Sequence, residues 1–144
     1  MTAPVEADPH LAARLRIAVA RLYRRIRLKA DMGVSPLQLS TLASIEKYGP
    51  LRLGELAARE SMTAPTMTRL LALLDERELI VRSPDPVDAR STRVALSEAG
   101  AALLDEVRSQ GTALLDAWMA RLPEEQRAAL AAALPALEAL GTED

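Results

Sequence analysis

Residues 53–96 read LGELAARESMTAPTMTRLLALLDERELIVRSPDPVDARSTRVAL, and this stretch decides the fold. Its first half contains two helical patterns that are separated by a three-residue turn, 53–60 and 64–78. Thr63 can cap the second of these helices with its hydroxyl, and Pro65 suits a first helical turn. Two helices joined by such a short turn have the geometry of a helix-turn-helix motif.

The second half of the stretch predicts a β-hairpin. Residues 79–82 and 92–96 are rich in β-branched and aliphatic side chains, as short strands are. The segment between them is rich in turn-forming residues, which include Pro84, Asp85, Pro86 and Asp88. A hairpin that directly follows a helix-turn-helix is a wing, so residues 35–96 are predicted to form a winged helix-turn-helix lobe.

Two further helical patterns bring the chain to this motif. Apolar side chains recur every three or four residues from Leu11 to about Ala30, which predicts a first helix. Ser35-Pro36 has the residue types of an N-cap and a first helical position, and the second helix starts there. Gly49-Pro50 ends it, with Gly49 in the usual place of a left-handed cap. Residues 1–9 are expected to form a flexible arm.

The chain continues after the hairpin with two more helices. Ser97 is predicted to cap a long helix that runs to about Leu122, and Pro123 opens the last one. Pro135 is expected to kink that last helix or to split it in two. The long helix has a wide apolar face with little in one chain to cover it, which indicates an interface, most commonly a two-fold dimer. The predicted fold is mostly α with a small β-hairpin wing, about six helices in a single domain of residues 1–144.

The composition excludes several classes of protein. The chain has no cysteine and a single histidine, His10, so we find neither a set of metal ligands nor a nucleophile with its base. No run of about 18 apolar residues exists to span a membrane, and the N-terminus lacks the pattern of a secretory signal. We therefore expect a cytoplasmic protein that is not an enzyme and needs no metal or cofactor.

The second helix of the helix-turn-helix carries residue types that contact DNA. A recognition helix enters the major groove with its N-terminal turn leading. Arginine can hydrogen-bond guanine O6 and N7, and threonine offers a hydroxyl to phosphate and a methyl to thymine. The candidate contacts are Thr63, Ala64, Pro65, Thr66, Thr68 and Arg69. Taken alone, the segment is equally compatible with an ordinary amphipathic helix that has a threonine cap.

The wing supplies three more candidates, Asp88, Arg90 and Arg93. An arginine at a hairpin tip can enter the narrow minor groove, where the negative potential is focused. An aspartate two residues earlier can hold that arginine in one rotamer. A solvated pair in a turn is the alternative interpretation of Asp88 and Arg90.

Together these segments resemble the MarR family of winged helix-turn-helix transcriptional regulators. Three blocks carry the resemblance, in the right order and at the right distances: LA at 56–57 with TMTRL at 66–70, LDERELIVR at 74–82, and DAR at 88–90 with Val94 and LSEAG at 96–100. The flanking helices also lie where that family has them, so the resemblance covers nearly the whole chain.

The resemblance implies a bacterial or archaeal repressor that binds a palindromic site in double-stranded DNA as a homodimer. Helices in 8–31 and 97–141 would form the dimerisation region. The helix from Ala64 to Glu78 would read the major groove, and Arg90, held by Asp88, would enter the minor groove. Many relatives release DNA when a small phenolic or other aromatic compound binds between the dimerisation and DNA-binding regions.

Four positions depart from the pattern of the family. Glu78 and Ser61 stand where glycine is common, at the end of the recognition helix and in the turn before it. Glu60 replaces an apolar residue, and Arg52 replaces a threonine or serine cap. A left-handed conformation at Glu78 would cost roughly 1 kcal/mol, since only glycine adopts it freely.

The basic first helix has two interpretations. It carries seven basic residues and no acid between Arg14 and Lys29, whereas three arginines and nine acids follow Ser97. Its arginines can contact DNA phosphates, or they can pair with acids on the last helices across a dimer, and we favour the second interpretation.

An effector site and a second function are further hypotheses. Arg16, Tyr23, Tyr48 and Trp118 are the candidate lining of a cavity between the two regions, although such residues are more often packing or surface. A winged-helix module that binds another protein without reading DNA is the competing function.

Overall fold

The computed structural model describes residues 8–30 and 33–142. These residues form six helices and three short strands, which confirms the mostly helical fold with a β-hairpin wing. The elements are α1 (Leu11–Lys29), α2 (Pro36–Tyr48), β1 (Leu51–Arg52), α3 (Leu53–Arg59), α4 (Ala64–Glu76), β2 (Ile80–Pro84), β3 (Thr92–Leu96), α5 (Glu98–Met119) and α6 (Glu124–Gly141). The predicted arm, residues 1–9, lies outside the described residues except for its last two positions.

The three strands form one antiparallel sheet in the order β1-β3-β2. Strands β2 and β3 are the predicted hairpin, and their register pairs Ile80 with Leu96 at one end and Pro84 with Thr92 at the other. Strand β1 is an addition to the sequence-based prediction, and its two residues pair with Val94 and Arg93 of β3. A two-residue strand has no periodicity in the sequence, so only the fold reveals it.

Side-chain caps start three of the helices, as the sequence predicts. The Gln38 amide donates to the Ser35 hydroxyl at 3.1 Å, and the Ser35 amide donates to the Gln38 side chain at 3.0 Å, which completes a capping box. Thr63 accepts from the Thr66 amide at 3.4 Å at the start of α4. Ser97 accepts from the Gly100 amide at 3.0 Å at the start of α5.

Two predicted helix ends are wrong, and one of the two outcomes predicted for Pro135, a split of the last helix, is excluded. Gly49 has an extended backbone (φ −73°, ψ 169°) and is not a left-handed cap. Helix α4 ends at Glu76, two residues before the predicted end, because Glu78 adopts the left-handed conformation with φ 57°. Helix α6 continues through Pro135 to Gly141, so Pro135 does not split it.

Residues Ala30–Ser109 form one compact unit that contains α2, α3, α4, the sheet and the first half of α5. The apolar faces predicted for α2, α3 and α4 meet in its core, where the largest fully buried side chains are Leu42, Leu56, Met67, Leu71, Leu74, Val94 and Thr41. This core fixes the start of α4 and the hairpin on a single scaffold.

Gly100 allows α5 to lie against the start of the wing. A Cβ atom at this position would collide with the carbonyl oxygen of Leu79. The Ser97 hydroxyl donates to the Glu78 carbonyl at 2.6 Å, and the Ser97 amide donates to the Leu79 carbonyl at 3.1 Å. The hydrogen bonds of Ser97 and the lack of a side chain at Gly100 explain why Ser and Gly suit these positions of the stretch LSEAG after the hairpin.

The second compact unit consists of the residues up to Lys29 and those from Gln110 onward. Neither α1 nor α6 has a single buried residue. Gly111 approaches the Ile26 side chain, and the Arg25 guanidinium lies 3.8 Å from the centre of the Trp118 ring. Large apolar side chains on these two helices remain exposed, namely Leu11, Ile17, Val19, Leu22, Leu28, Leu130, Leu134 and Leu140.

Candidate nucleic-acid interface

The first turn of α4 presents a row of exposed side chains. Helix α4 buries Met67, Leu70, Leu71 and Leu74 in the core. The opposite side therefore faces solvent, and Ala64, Pro65, Thr68 and Arg69 are exposed there, while Thr66 is half-buried. These are the residues that the sequence indicates as candidate contacts in the major groove.

Two threonine hydroxyls in this turn are already engaged with the helix. The Thr63 hydroxyl donates to the Thr66 hydroxyl at 2.9 Å and also caps the helix. The Thr68 hydroxyl donates to the Ala64 carbonyl at 2.9 Å. Both hydroxyls already donate their hydrogen within the helix. Thr68 can therefore offer DNA the lone pairs of its oxygen, as an acceptor, and its methyl group.

The loop at the tip of the wing is closed by its own hydrogen bonds. The Asp85 carboxylate accepts from the amides of Val87 (2.8 Å) and Asp88 (3.0 Å). The Asp85 amide donates to the Ser91 carbonyl at 2.9 Å, and the Ser91 amide donates to the Asp88 carbonyl at 2.9 Å. The loop thus has a defined shape in the absence of DNA.

Asp85 also holds two arginines. Its side chain is completely buried, and the Nε atoms of Arg52 and Arg93 each lie 2.7 Å from the same carboxylate oxygen, Oδ2. The hydrogen bond from Arg52, the Asp88 amide and the hydrogen bond from Arg93 hold the pKa of the Asp85 carboxyl far below its usual range, against the opposing effect of burial. We call Asp85, Arg52 and Arg93 the Asp85 cluster.

Arg90 is the most exposed charged group of the wing. Its side chain is 93% exposed, and its Nε lies 3.3 Å from Oδ1 of Asp88. The same Asp88 oxygen accepts from the Arg90 backbone amide at 3.1 Å. Asp88 therefore contacts both the backbone and the side chain of Arg90, which directs this guanidinium while leaving it accessible.

The Asp85 cluster contains two residues that sequence reasoning missed. Asp85 has the residue type and the proline neighbours of an ordinary turn former, and Arg52 differs from the common cap. The two residues are 33 positions apart, so no local sequence pattern predicts that they pair. Arg93, a candidate DNA contact, has its Nε on Asp85, while its side chain remains 32% exposed.

Glu60, another departure from the family pattern, has a structural partner on α2. Its carboxylate accepts hydrogen bonds from the hydroxyls of Ser40 and Ser44. The carboxylate thus ties α3 to α2 where an apolar residue would pack. Ser61, the next residue, has φ 52°, which accounts for the glycine that is common there.

The four candidate effector residues lie in both compact units. Arg16, Tyr23 and Trp118 belong to the unit of α1 and α6, and Arg27 lies 5.8 Å from the centre of the Tyr23 ring. Tyr48 belongs to the other unit, where Arg59 lies 3.5 Å and Lys47 4.9 Å from its ring centre. All three aromatic rings thus have a cation as a neighbour.

Two kinds of feature are absent from residues 8–30 and 33–142. No helix there has the length and apolarity to cross a membrane. No group of three or more His, Cys, Asp or Glu side chains there has the arrangement to hold a metal ion.

Comparison with known proteins identifies relatives over the whole chain. The MarR family model matches residues 34–92. An HTH-type transcriptional regulator of Mycobacterium bovis is 35% identical over 137 residues, covering 94% of this chain and 96% of its own. The HTH-type transcriptional repressor MdtR of Bacillus subtilis is 26% identical over 127 residues, covering 85% of this chain and 82% of its own.

A solved structure gives the same result. A crystal structure from Pseudomonas aeruginosa superimposes with a TM-score of 0.81 and is 38% identical, covering 98% of this chain and all of the other. Its agreement extends over the helix-turn-helix, the wing and the flanking helices. The chain therefore belongs to the MarR family, and it is a DNA-binding transcriptional regulator of the winged helix-turn-helix type.

Proposed function

We propose that this regulator is a repressor that binds a palindromic operator as a homodimer. The observation that carries the proposal is the exposed Arg90 on a wing loop that is closed by its own hydrogen bonds, on the same unit as the exposed first turn of α4. A rigid loop and a rigid helix present their side chains to DNA without an ordering cost. The relative MdtR, which is named as a repressor, supports the direction of regulation.

Each part of the unit has a role in this proposal. Helix α4 reads base edges in the major groove, where Arg69 selects guanine and the Thr68 methyl contacts thymine. Thr63, Ala64, Pro65 and Thr66 bring the helix start against the backbone of the DNA. The wing places Arg90 in the minor groove, and Asp88 sets its direction.

The proposed dimer uses helices in 8–31 and 97–141. Helices α1 and α6 have no buried residue in a single chain, and their leucines remain exposed. Burying such side chains against a second copy is favourable by about 25 cal/mol per Å² of apolar surface. A two-fold dimer then places two recognition helices about one helical turn of DNA apart.

A small aromatic effector that releases DNA is the last part of the proposal. The candidate residues Tyr23, Tyr48 and Trp118 each have a cation near the ring, a neighbourhood that suits phenolate and other aromatic anions. Arg16, exposed on α1, is the candidate partner for an anionic group of the effector.

The experiment is selection from a pool of random-sequence duplexes, followed by sequencing, for the wild type and two variants. Arg90→Ala removes the proposed minor-groove contact. Arg108→Ala is the matched control, because Arg108 is exposed and pairs with Glu46 on the same unit at 3.0 Å. We expect the wild type and Arg108→Ala to enrich one palindrome and Arg90→Ala to lose it.

The competing function predicts a different result. Arg69 is the one basic residue in α4, which is few for a helix that binds DNA. A module that binds protein would enrich no sequence, or would enrich one without regard to Arg90. Either result would replace the proposed DNA contacts with a protein interface.

A further inference from the structure

The Asp85 cluster contains an arrangement that stability alone does not explain. Arg52 on β1 and Arg93 on β3 are directly opposite each other in the antiparallel sheet. Like charges in this position repel and destabilise a strand pair. Asp85 lies between them, but its single negative charge neutralises only one of the two guanidinium groups, so the cluster keeps a net charge of +1.

The donors of these arginines are only partly used. Each guanidinium has five N–H groups, and each gives its Nε–H to Oδ2 of Asp85. Two other carboxylates act on Arg52 without a hydrogen bond: Glu55 forms an ion pair with its Nε at 3.9 Å, and Asp88 attracts it at longer range. The side chains of Arg52 and Arg93 are 41% and 32% exposed, so both arginines are partly accessible to an anion.

The cluster lies at the loop end of the wing, next to the last strand pair, Pro84 with Thr92. Asp85 is held by two backbone amides of the wing loop as well as by the two arginines. Arg52 directly precedes α3, the first helix of the helix-turn-helix, and its side chain makes no capping hydrogen bond there. Planar guanidinium groups fixed in this way suit the oxygen atoms of a phosphate.

We infer that Arg52 and Arg93, positioned by Asp85, bind one backbone phosphate of duplex DNA. This inference rests on the proposed DNA binding and adds a contact that is independent of sequence. The phosphate supplies the negative charge that the cluster lacks. Asp85 is the positioning residue, and Arg52 replaces the neutral cap of the family with a charged phosphate ligand.

The test is the salt dependence of DNA binding by Arg52→Thr. Threonine restores a cap to α3 and leaves Arg93 paired with Asp85, so the variant is expected to fold. The net charge of the cluster falls from +1 to zero. We expect the slope of log K against log salt concentration to lose about 0.9, the value for one phosphate, on operator and random-sequence duplexes alike.

Two further variants make the result specific. Arg52→Lys keeps the positive charge but loses the planar guanidinium group with its paired donors. We therefore expect the salt slope of the wild type with weaker DNA binding. If Arg52→Thr does not fold, this variant still tests whether Arg52 binds a phosphate. Arg108→Gln removes one positive charge from the same unit, and we expect its slope to equal that of the wild type.

Several outcomes would overturn the inference. An unchanged slope for Arg52→Thr, an equal loss for Arg108→Gln, or a loss confined to the operator each excludes a phosphate ligand at Arg52. Failure of the proposed function can be distinguished from failure of this inference. In that case no palindrome would be enriched, while the salt slope could still be measured on random-sequence duplexes. A wild type that binds no duplex at all would overturn both.

Discussion

The Asp85 carboxylate connects β3 and the wing loop with β1, which lies more than 30 residues earlier in the sequence. Arg52 reaches it from β1, Arg93 reaches it from β3, and two amides of the wing loop donate to it. Its side chain is completely buried, and a buried charge is tolerated only when such partners surround it. Replacing this one residue should therefore disturb the strand pair and the loop together.

We predict that Asp85→Asn lowers the free energy of unfolding at neutral pH, because two facing guanidinium groups lose their counterion. The folded-state pKa of Asp85 is depressed, so its contribution is complete above the ordinary carboxyl pKa of about 3.9. It is lost as the pH falls from there through the depressed value. Urea unfolding at pH 7, 5 and 3 measures the difference from the wild type.

The matched control is Asp75→Asn, which removes an exposed ion pair with Arg82. Such pairs contribute at most about 1 kcal/mol. A wild-type advantage over Asp85→Asn that stays constant down to the lowest pH would contradict the assigned role of the carboxylate.

At the scale of the element, α4 lies between two strained residues. Ser61 precedes it with φ 52° and Glu78 follows it with φ 57°, and neither is glycine. A left-handed conformation costs an ordinary residue about 1–2 kcal/mol, part of which returns because a non-glycine chain is less flexible when unfolded. Both residues therefore lower the stability of the segment that contains α4.

We predict that Glu78→Gly raises the free energy of unfolding by up to about 1 kcal/mol, since glycine adopts this backbone without strain. Ala72→Gly, in the exposed interior of the same helix, is the control and should lower it by about 1 kcal/mol. Thermal unfolding of both variants measures whether each change raises or lowers the free energy of unfolding. Destabilisation by both would contradict the left-handed backbone at Glu78.

The elements themselves are predictable from local signals. The helix starts at Ser35, Thr63 and Ser97 depend on hydrogen bonds to residues three positions later. Both partners of each bond are close in the sequence, so a local pattern predicts them. Strand β1 has no such signal, because its two residues form a strand only by pairing with β3. The candidate contacts in α4 and the wing follow from local patterns, whereas the pairing of Asp85 with Arg52 depends on the tertiary fold.

At the scale of the molecule, α1 and α6 have no buried residue in one chain. We predict that Leu134→Glu converts the proposed dimer into a monomer, because Leu134 is 51% exposed on α6 and a charge there cannot be buried in an apolar interface. Operator affinity should fall by orders of magnitude, since each monomer binds only one half-site. Sedimentation velocity measures the mass.

The control for this change is Leu37→Glu. Leu37 is exposed to a similar extent, 48%, but lies on α2, in the compact unit Ala30–Ser109. It should leave the sedimentation coefficient at the value of the wild type. A dimer that survives Leu134→Glu would place the interface away from α6.

The closed wing loop has a consequence for the time that the regulator needs to engage its site. Because hydrogen bonds from Val87, Asp88, Arg90 and Ser91 hold the loop in one shape, we expect it to engage DNA without a folding step. Arrival is then limited by diffusion and by attraction between charges, which typically gives association faster than about 10⁶ M⁻¹s⁻¹. Differences in affinity between related DNA sites are then expected to lie mostly in the rate of dissociation.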